Sequence, residues 1–309
     1  MQRSPVLIIG AGRSGTNLLA RILGEDPRFW NAFENRYIWN YKARTLAHDV
    51  RTAEEATPRV RAYIRRFFAR MADQNDRVVV DKTPSNVLRV AFAHAVLPEA
   101  RFINLVRDAR DNVVSRRVEW YGGKTAYRAP AEGGTPGVGR SDRPALLRRR
   151  IEHMGAMVRR GNLPPERWPT FLRDNFGPFV RNLISGQPVR WGDRFPGIGD
   201  ALRAYGLLIT AGIQWREGVL HATTDGRRLP ANQYLELRYE DLLTDPELHW
   251  GRIAAFLGIE VEGPCLDYIR RALRRENVGK WRTQLSGDDL RALEPHIRPS
   301  LEFLGYEWT

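Results

Sequence analysis

Short apolar runs alternate with longer amphipathic ones along most of this chain. Val6–Ile9, Phe29–Phe33, Val78–Val80, Phe102–Val106 and Tyr234–Leu237 are too short for helices and read as buried strands. Helical patterns lie between them, at Asn17–Gly24, Thr52–Ala72, Ser85–Val96, Arg110–Tyr121 and Ala201–His221. In Thr52–Ala72 the residues Val60, Ile64, Phe67, Phe68 and Met71 share one face. Strands alternating with helices predict an α/β fold of three layers, a central parallel sheet of about five strands flanked by helices.

The pattern fails over Gly122–Pro144, which is rich in Gly, Pro, Arg and Ser and has no period. Such a stretch is either unstructured or a lid. Arg148–Pro196 then mixes Arg and Pro with aromatic residues, among them Trp168, Phe171, Phe176, Phe179 and Trp191. We read 1–309 as a single domain, with 122–200 as a mostly helical insertion over the site and the core resuming near Asp200. No internal repeat is visible.

The first strand runs into Gly10-Ala11-Gly12-Arg13-Ser14-Gly15-Thr16-Asn17, and a helix begins at its end. A strand, a glycine loop and a helix N-terminus together form a phosphate cradle, which makes the expected fold P-loop-type. Gly10 and Gly15 have the Walker A spacing, but Thr16 stands where that motif has lysine and Asn17 where it has the magnesium-binding hydroxyl. The loop's cation is Arg13 instead. An anionic 5′-group of a nucleotide, bound without metal, fits these residues better than a metal–triphosphate does. The plainer alternative is a β-turn-α corner with packing glycines.

Composition narrows the picture a little. The chain has 309 residues, 42% of them hydrophobic, and one cysteine, so an intramolecular disulfide is excluded. No apolar run approaches the roughly 18–20 residues of a membrane span. No signal sequence is read at the start, and a cytoplasmic location is expected. The net charge of +13 suits nucleic acid, an acidic membrane surface or an anionic small substrate. Solvated arginines explain it equally well. No nucleic-acid-binding motif is present, so nucleic acid is not the expected partner.

A second anchor follows the fourth strand, in Arg107-Asp108-Ala109-Arg110-Asp111-Asn112-Val113-Val114-Ser115. Arg107 sits where parallel sheets bind ligands, and Ser115 lies two helical turns on. An arginine and a hydroxyl can hold a second phosphate. Alternatively, Arg107 and Asp108 form a strand-end ion pair.

The two anchors together resemble the sulfotransferases that use 3′-phosphoadenosine-5′-phosphosulfate (PAPS). The resemblance extends to Val80-Asp81-Lys82-Thr83-Pro84, to Leu237-Arg238-Tyr239-Glu240-Asp241-Leu242-Leu243 with Asp245-Pro246, to Asn277-Val278-Gly279-Lys280-Trp281-Arg282 and to Leu304-Gly305-Tyr306. It does not cover 122–200. The pattern is most similar to the group that holds the protein-tyrosine sulfotransferases and bacterial relatives.

That resemblance implies a site. PAPS would be the co-substrate, with no metal. Gly12, Arg13, Ser14, Gly15, Thr16 and Asn17 would hold its 5′-phosphosulfate. Arg107 and Ser115 would hold the 3′-phosphate. Tyr239, Gly279, Lys280 and Trp281 would contact the nucleotide. Glu34 would be the base, and Lys82 with Arg13 would meet the charge on the leaving group. Structural readings stand beside these: Glu34 paired with Arg36 or Arg13, Lys82 a turn lysine, Trp281 a packing residue. His48 and His94 are the rival bases. Many relatives carry a serine beside the late loop, where this chain has Glu276 and Asn277.

The acceptor implied is a hydroxyl or amine of a small molecule, carbohydrate or lipid, and an anionic one fits the charge. Arg36–Tyr41, the 122–200 insertion and Trp215 are the expected walls of its pocket. Two other functions remain open, a metal-dependent nucleotide kinase or phosphotransferase and a non-catalytic nucleotide- or nucleic-acid-binding protein. Oligomeric state is not legible.

Overall fold

The computed structural model describes residues 4–45, 47–120, 127–128, 137–138, 143–159, 163, 165, 168–185, 192–273 and 277–308. The chain forms two compact units, 1–114 with 193–309, and 115–192.

The first unit is built on five parallel strands. These are β1 (Val6–Ile9), β2 (Phe29–Phe33), β3 (Val78–Asp81), β4 (Arg101–Val106) and, late in the chain, β7 (Tyr234–Arg238), ordered β2-β3-β1-β4-β7. All five expected strands are present, within one residue at their ends. Because every strand runs the same way, all five C-terminal ends meet at one sheet edge. The β2–β3 register slips between Asn31 and Phe33, a bulge next to the end of β2.

Helices cover both faces. On one, α1 (Thr16–Gly24) and the late helices α11 (Pro246–Leu257) and α12 (Pro264–Ala272) bury Leu19, Ile22, Leu23, Trp250, Ile253, Leu266 and Ile269 with Val6, Ile8, Ile103 and Leu105 of the sheet. Elsewhere α5 (Ala109–Trp120), α9 (Ile198–Gly226) and α14 (Gly287–Phe303) form a second cluster through Val113, Ala211, Trp215, Val219, Leu293 and Ile297. The expected layers are there. Among the described residues no helix is long and apolar enough to cross a membrane.

Three helix expectations need correction. Thr52–Ala72 is a short 3-10 turn (Ala53–Glu55) followed by α3 (Pro58–Asn75). Pro58 forces Thr57 out of helical geometry, and the Thr57 hydroxyl then caps α3 by accepting from Val60 N at 3.4 Å. Ser85–Val96 divides at Arg89 (φ −156°) into a 3-10 turn and α4 (Val90–Val96). There the Arg89 side chain turns inward to bond Ser85, Asn86 and Asn40. Ala201–His221 grows to the whole of α9, broken at Gly206 (φ 71°).

The second unit contains the last turns of α5, the antiparallel pair β5 (Tyr127–Arg128) and β6 (Gly137–Val138), and the helices α6 (Arg143–Arg159), α7 (Trp168–Phe171) and α8 (Gly177–Ser185). A π-helical turn, Leu172–Phe176, joins the last two. Phe171, Phe176 and Phe179 stack in series, with Arg150 over the rings of Phe171 and Phe179. Most of Gly122–Pro144, and Trp191, lie outside the described residues.

Candidate active site

The predicted residues of the first unit gather at the edge where the parallel strands end. Gly10 follows β1, Glu34 follows β2, Lys82 follows β3, Arg107 follows β4 and Tyr239 follows β7. Ligands of parallel α/β sheets bind at this edge.

The loop after β1 is tight. Gly10 has a φ of 154°, and a Cβ on it would lie 2.5 Å from the Leu105 carbonyl oxygen. Gly15 (φ 91°) has the Tyr239 ring against it, 2.4 Å from where a Cβ would stand. Arg13 also adopts a positive φ, 75°. Asn112 ties the loop from inside, donating to Gly12 O at 2.9 Å and Ser14 Oγ at 3.2 Å. The Gly12 N–H already donates to Asp193 Oδ1 at 3.3 Å, so the donors facing the ligand side are those further along. α1 begins with no side-chain cap, which leaves its first N–H groups, at Thr16 and Asn17, without intrahelical acceptors. That is a place for an anion.

Glu34 and Lys82 form an ion pair across the ends of β2 and β3. The Lys82 side chain is 5% exposed and that of Glu34 43%. Neither Arg36 nor Arg13 is the partner of this carboxylate in that bond. Arg36 instead pairs with Asp49, which also takes the Arg194 N–H at 2.8 Å. Burial pushes Asp49 up, but the guanidiniums of Arg36, Arg194 and Arg89 outweigh it and hold the carboxyl well below the usual range.

Sequence reasoning missed the residue that aims this pair. Asp81, the last residue of β3, is fully buried. Its carboxylate accepts from Asn35 Nδ2 at 2.6 Å, Trp39 Nε1 at 3.0 Å, Thr83 Oγ1 at 3.0 Å and Asn86 Nδ2 at 3.0 Å. Thr83 Oγ1 in turn accepts the Asn35 N–H at 2.8 Å. The neighbours of Glu34 and of Lys82 are thus bound to one carboxylate. A buried acid ending a strand, with amide and hydroxyl residues two and five positions on, was the signal available. Burial pushes the Asp81 pKa up to about 6 in spite of its four donors. Its folded pKa lies above the ordinary value near 3.8. Its contribution to stability is therefore complete below that value and declines as the pH rises towards 6. Asp81→Ala strands four buried donors and should cost about 3–5 kcal/mol in urea unfolding, with that pH slope gone. A variant as stable as the parent would show that the network is dispensable.

Arg107 does not pair with Asp108, because Asp108 pairs with Arg110 at 2.8 Å and caps α5 through the Arg110 N–H at 2.8 Å. Arg107 donates to Arg13 O at 2.9 Å and to Asn277 O, and its guanidinium lies 4.8 Å from the centre of the Tyr239 ring. Its Nε is buried with no hydrogen-bond partner. An anion's oxygen would satisfy it. Ser115, on α5, is the first residue of the second unit.

The late loop reaches the same place. Gly279 N and Trp281 N donate to Asp111, Lys280 Nζ donates to Asn277 Oδ1 at 2.6 Å, and Trp281 is buried with Arg110 and Arg282 over its ring. Tyr239 is also buried. Trp215 is not a pocket wall: it is fully buried, and its indole N–H donates to Arg107 O at 2.9 Å, bracing the strand end from below. His94 bonds Gln233 at 3.1 Å and packs beside Phe102, and neither neighbour is a residue of the site. His48 precedes Asp49, with its Nδ1 buried and without a partner.

Comparison with known proteins returns sulfotransferases. A search of curated protein sequences gives no match. The sulfotransferase domain of the curacin biosynthetic pathway is 12% identical, with 99% of each chain covered and a TM-score of 0.52, which supports a shared fold. The sulfotransferase domain of the Synechococcus PCC 7002 olefin synthase is 17% identical, covering 99% of this chain and 97% of that one with a TM-score of 0.48. A mouse sulfotransferase solved with PAP, the 3′,5′-bisphosphate left when PAPS gives up its sulfuryl group, is 14% identical. That match covers 98% of this chain and 86% of the mouse chain with a TM-score of 0.49. The sulfotransferase family profile matches residues 5–170 and 197–263, which take in the glycine loop, the Glu34–Lys82 pair, the Arg107 helix and Tyr239. With most of its length matched, this chain belongs to the sulfotransferase family of enzymes.

Proposed function

We propose that the protein moves a sulfuryl group from PAPS to a hydroxyl or amine of a small-molecule, carbohydrate or lipid acceptor, with Glu34 as the base. The observation that carries this reading is the Glu34–Lys82 pair, one strand away from an uncapped helix N-terminus. An in-line displacement needs a base on the acceptor side of the sulfur and a cation on the leaving-group side, so the two side chains, bonded to each other here, part when acceptor and PAPS are both bound. Bound PAPS would supply the activated sulfuryl group and a phosphate leaving group.

The chain's residues divide the work. The Thr16 and Asn17 N–H groups and Arg13 hold the 5′-group. Arg107 turns its unpartnered Nε to the 3′-phosphate. Glu34 accepts the proton that the acceptor loses, and Lys82, parted from Glu34, meets the charge left on the phosphate oxygen. Asp81 is not the base, because its oxygens are buried and already take four donors. The Arg36 and Arg194 guanidiniums, beside Glu34 in sequence or sharing Asp49, favour an acceptor with negative charge. We keep 1–309 as one catalytic domain with 122–200 as an insertion.

Calorimetric titration with PAP and with ATP, each with and without magnesium, tests the reading. Micromolar PAP binding that ignores magnesium and exceeds ATP binding is expected. Magnesium-dependent ATP binding without a PAP preference would replace it with a phosphotransferase.

A further inference from the structure

One carboxylate joins the arginine after β4 to a loop far along the chain. Asp111, in the first turn of α5, is buried; its Oδ2 accepts the Gly279 N–H at 2.7 Å, and its Oδ1 accepts the Trp281 N–H at 3.0 Å. The same Oδ2 lies 4.0 Å from the Arg107 guanidinium, one helical turn back. Arg107 itself donates to the Asn277 carbonyl. The loop is therefore gripped at 277, 279 and 281, all from the segment that starts at Arg107. Gly279 has a φ of 75°, the left-handed turn that lets N–H groups two residues apart reach one carboxylate.

We infer that Asp111 is a positioning residue that gives the nucleotide site its preference for a 3′-phosphate, by holding the 277–281 loop against Arg107. This rests on the PAPS reading above and adds to it a residue that touches no ligand. Two consequences follow from the chemistry. Both Asp111 oxygens are acceptors, so an amide in its place must turn an N–H₂ towards one of the loop's N–H groups. The loop then loses one anchor, and Arg107 loses a carboxylate's charge but keeps its hydrogen bonds to Arg13 O and Asn277 O. The loss should fall on the 3′-phosphate and spare the 5′-group, which sits on the β1–α1 loop.

The test compares PAP with adenosine 5′-phosphate, which lacks only the 3′-phosphate, by calorimetry on the parent chain and on Asp111→Asn. The parent should bind PAP more tightly than adenosine 5′-phosphate. Asp111→Asn should weaken PAP by about tenfold or more and leave adenosine 5′-phosphate within about twofold. Equal losses for both ligands, or no loss for PAP, would overturn the inference with the PAPS reading intact. A parent with no preference for PAP would overturn both. Hydrogen exchange on the parent serves if the variant does not fold. PAP should slow exchange in peptides covering 277–284 more than adenosine 5′-phosphate does, and equal protection would count against Asp111.

Discussion

Glu34→Ala should bind PAP as the parent does and lose turnover by about two to four orders of magnitude, the range expected of a missing general base. The nucleotide contacts proposed here come from the β1–α1 loop, from Arg107 and from the late loop, none of which Glu34 touches. Among the described residues its side-chain hydrogen-bond partner is Lys82. Removing the carboxylate leaves a lysine with 5% side-chain exposure and no counter-charge, so a modest fall in stability accompanies the fall in rate. Glu34→Gln separates the two effects. It can still accept from Lys82 but takes no proton, and its turnover should fall as far as that of the alanine variant. The measurement is single-turnover sulfuryl transfer beside PAP calorimetry. A glutamine variant with near-parental rate would remove Glu34 from proton transfer.

Lys82→Met should lower the chemical step by about two to three orders of magnitude, as loss of a preorganised cation at a developing oxyanion does. Methionine matches the buried stem, so the fold should survive. Lys82→Arg should rescue only in part, because a planar fork cannot replace a point charge in the turn before Thr83. Since Glu34 and Lys82 are bonded, the double variant should lose much less than the product of the single losses. Strict additivity would mean that the two act independently. A Lys82→Met enzyme that turns over normally would leave Arg13 alone as the leaving-group cation.

Local signals in the chain determined the elements. Each strand is a short apolar run, and the loop after β1 announces itself through glycine spacing, because both effects act within a few residues. The break before Pro58 was equally local, since proline restricts the residue before it, but the amphipathic period masked it. The turn at Arg89 had no such signal, because it depends on a buried guanidinium finding Asn40, 49 positions away.

The residues that gather at the sheet edge could be named one by one from the sequence; their connections could not. Glu34 meets Lys82 only because β2 and β3 are neighbours in the order β2-β3-β1-β4-β7, with a bulge at the end of β2. Asp81 read as part of a motif, and only burial made it the acceptor for four donors. Trp215 read as a pocket wall, yet packing places it beneath Arg107. Asp111 stood in the second anchor with no role of its own, and its loop partner Gly279 is 168 residues away. The sequence by itself determined which segments are strands, roughly where the helices lie and where the glycine loop falls, since those depend on neighbouring residues. Only the tertiary structure decided which charges pair, which acids are buried and which loops are held together, because those energies arise between segments far apart in the chain.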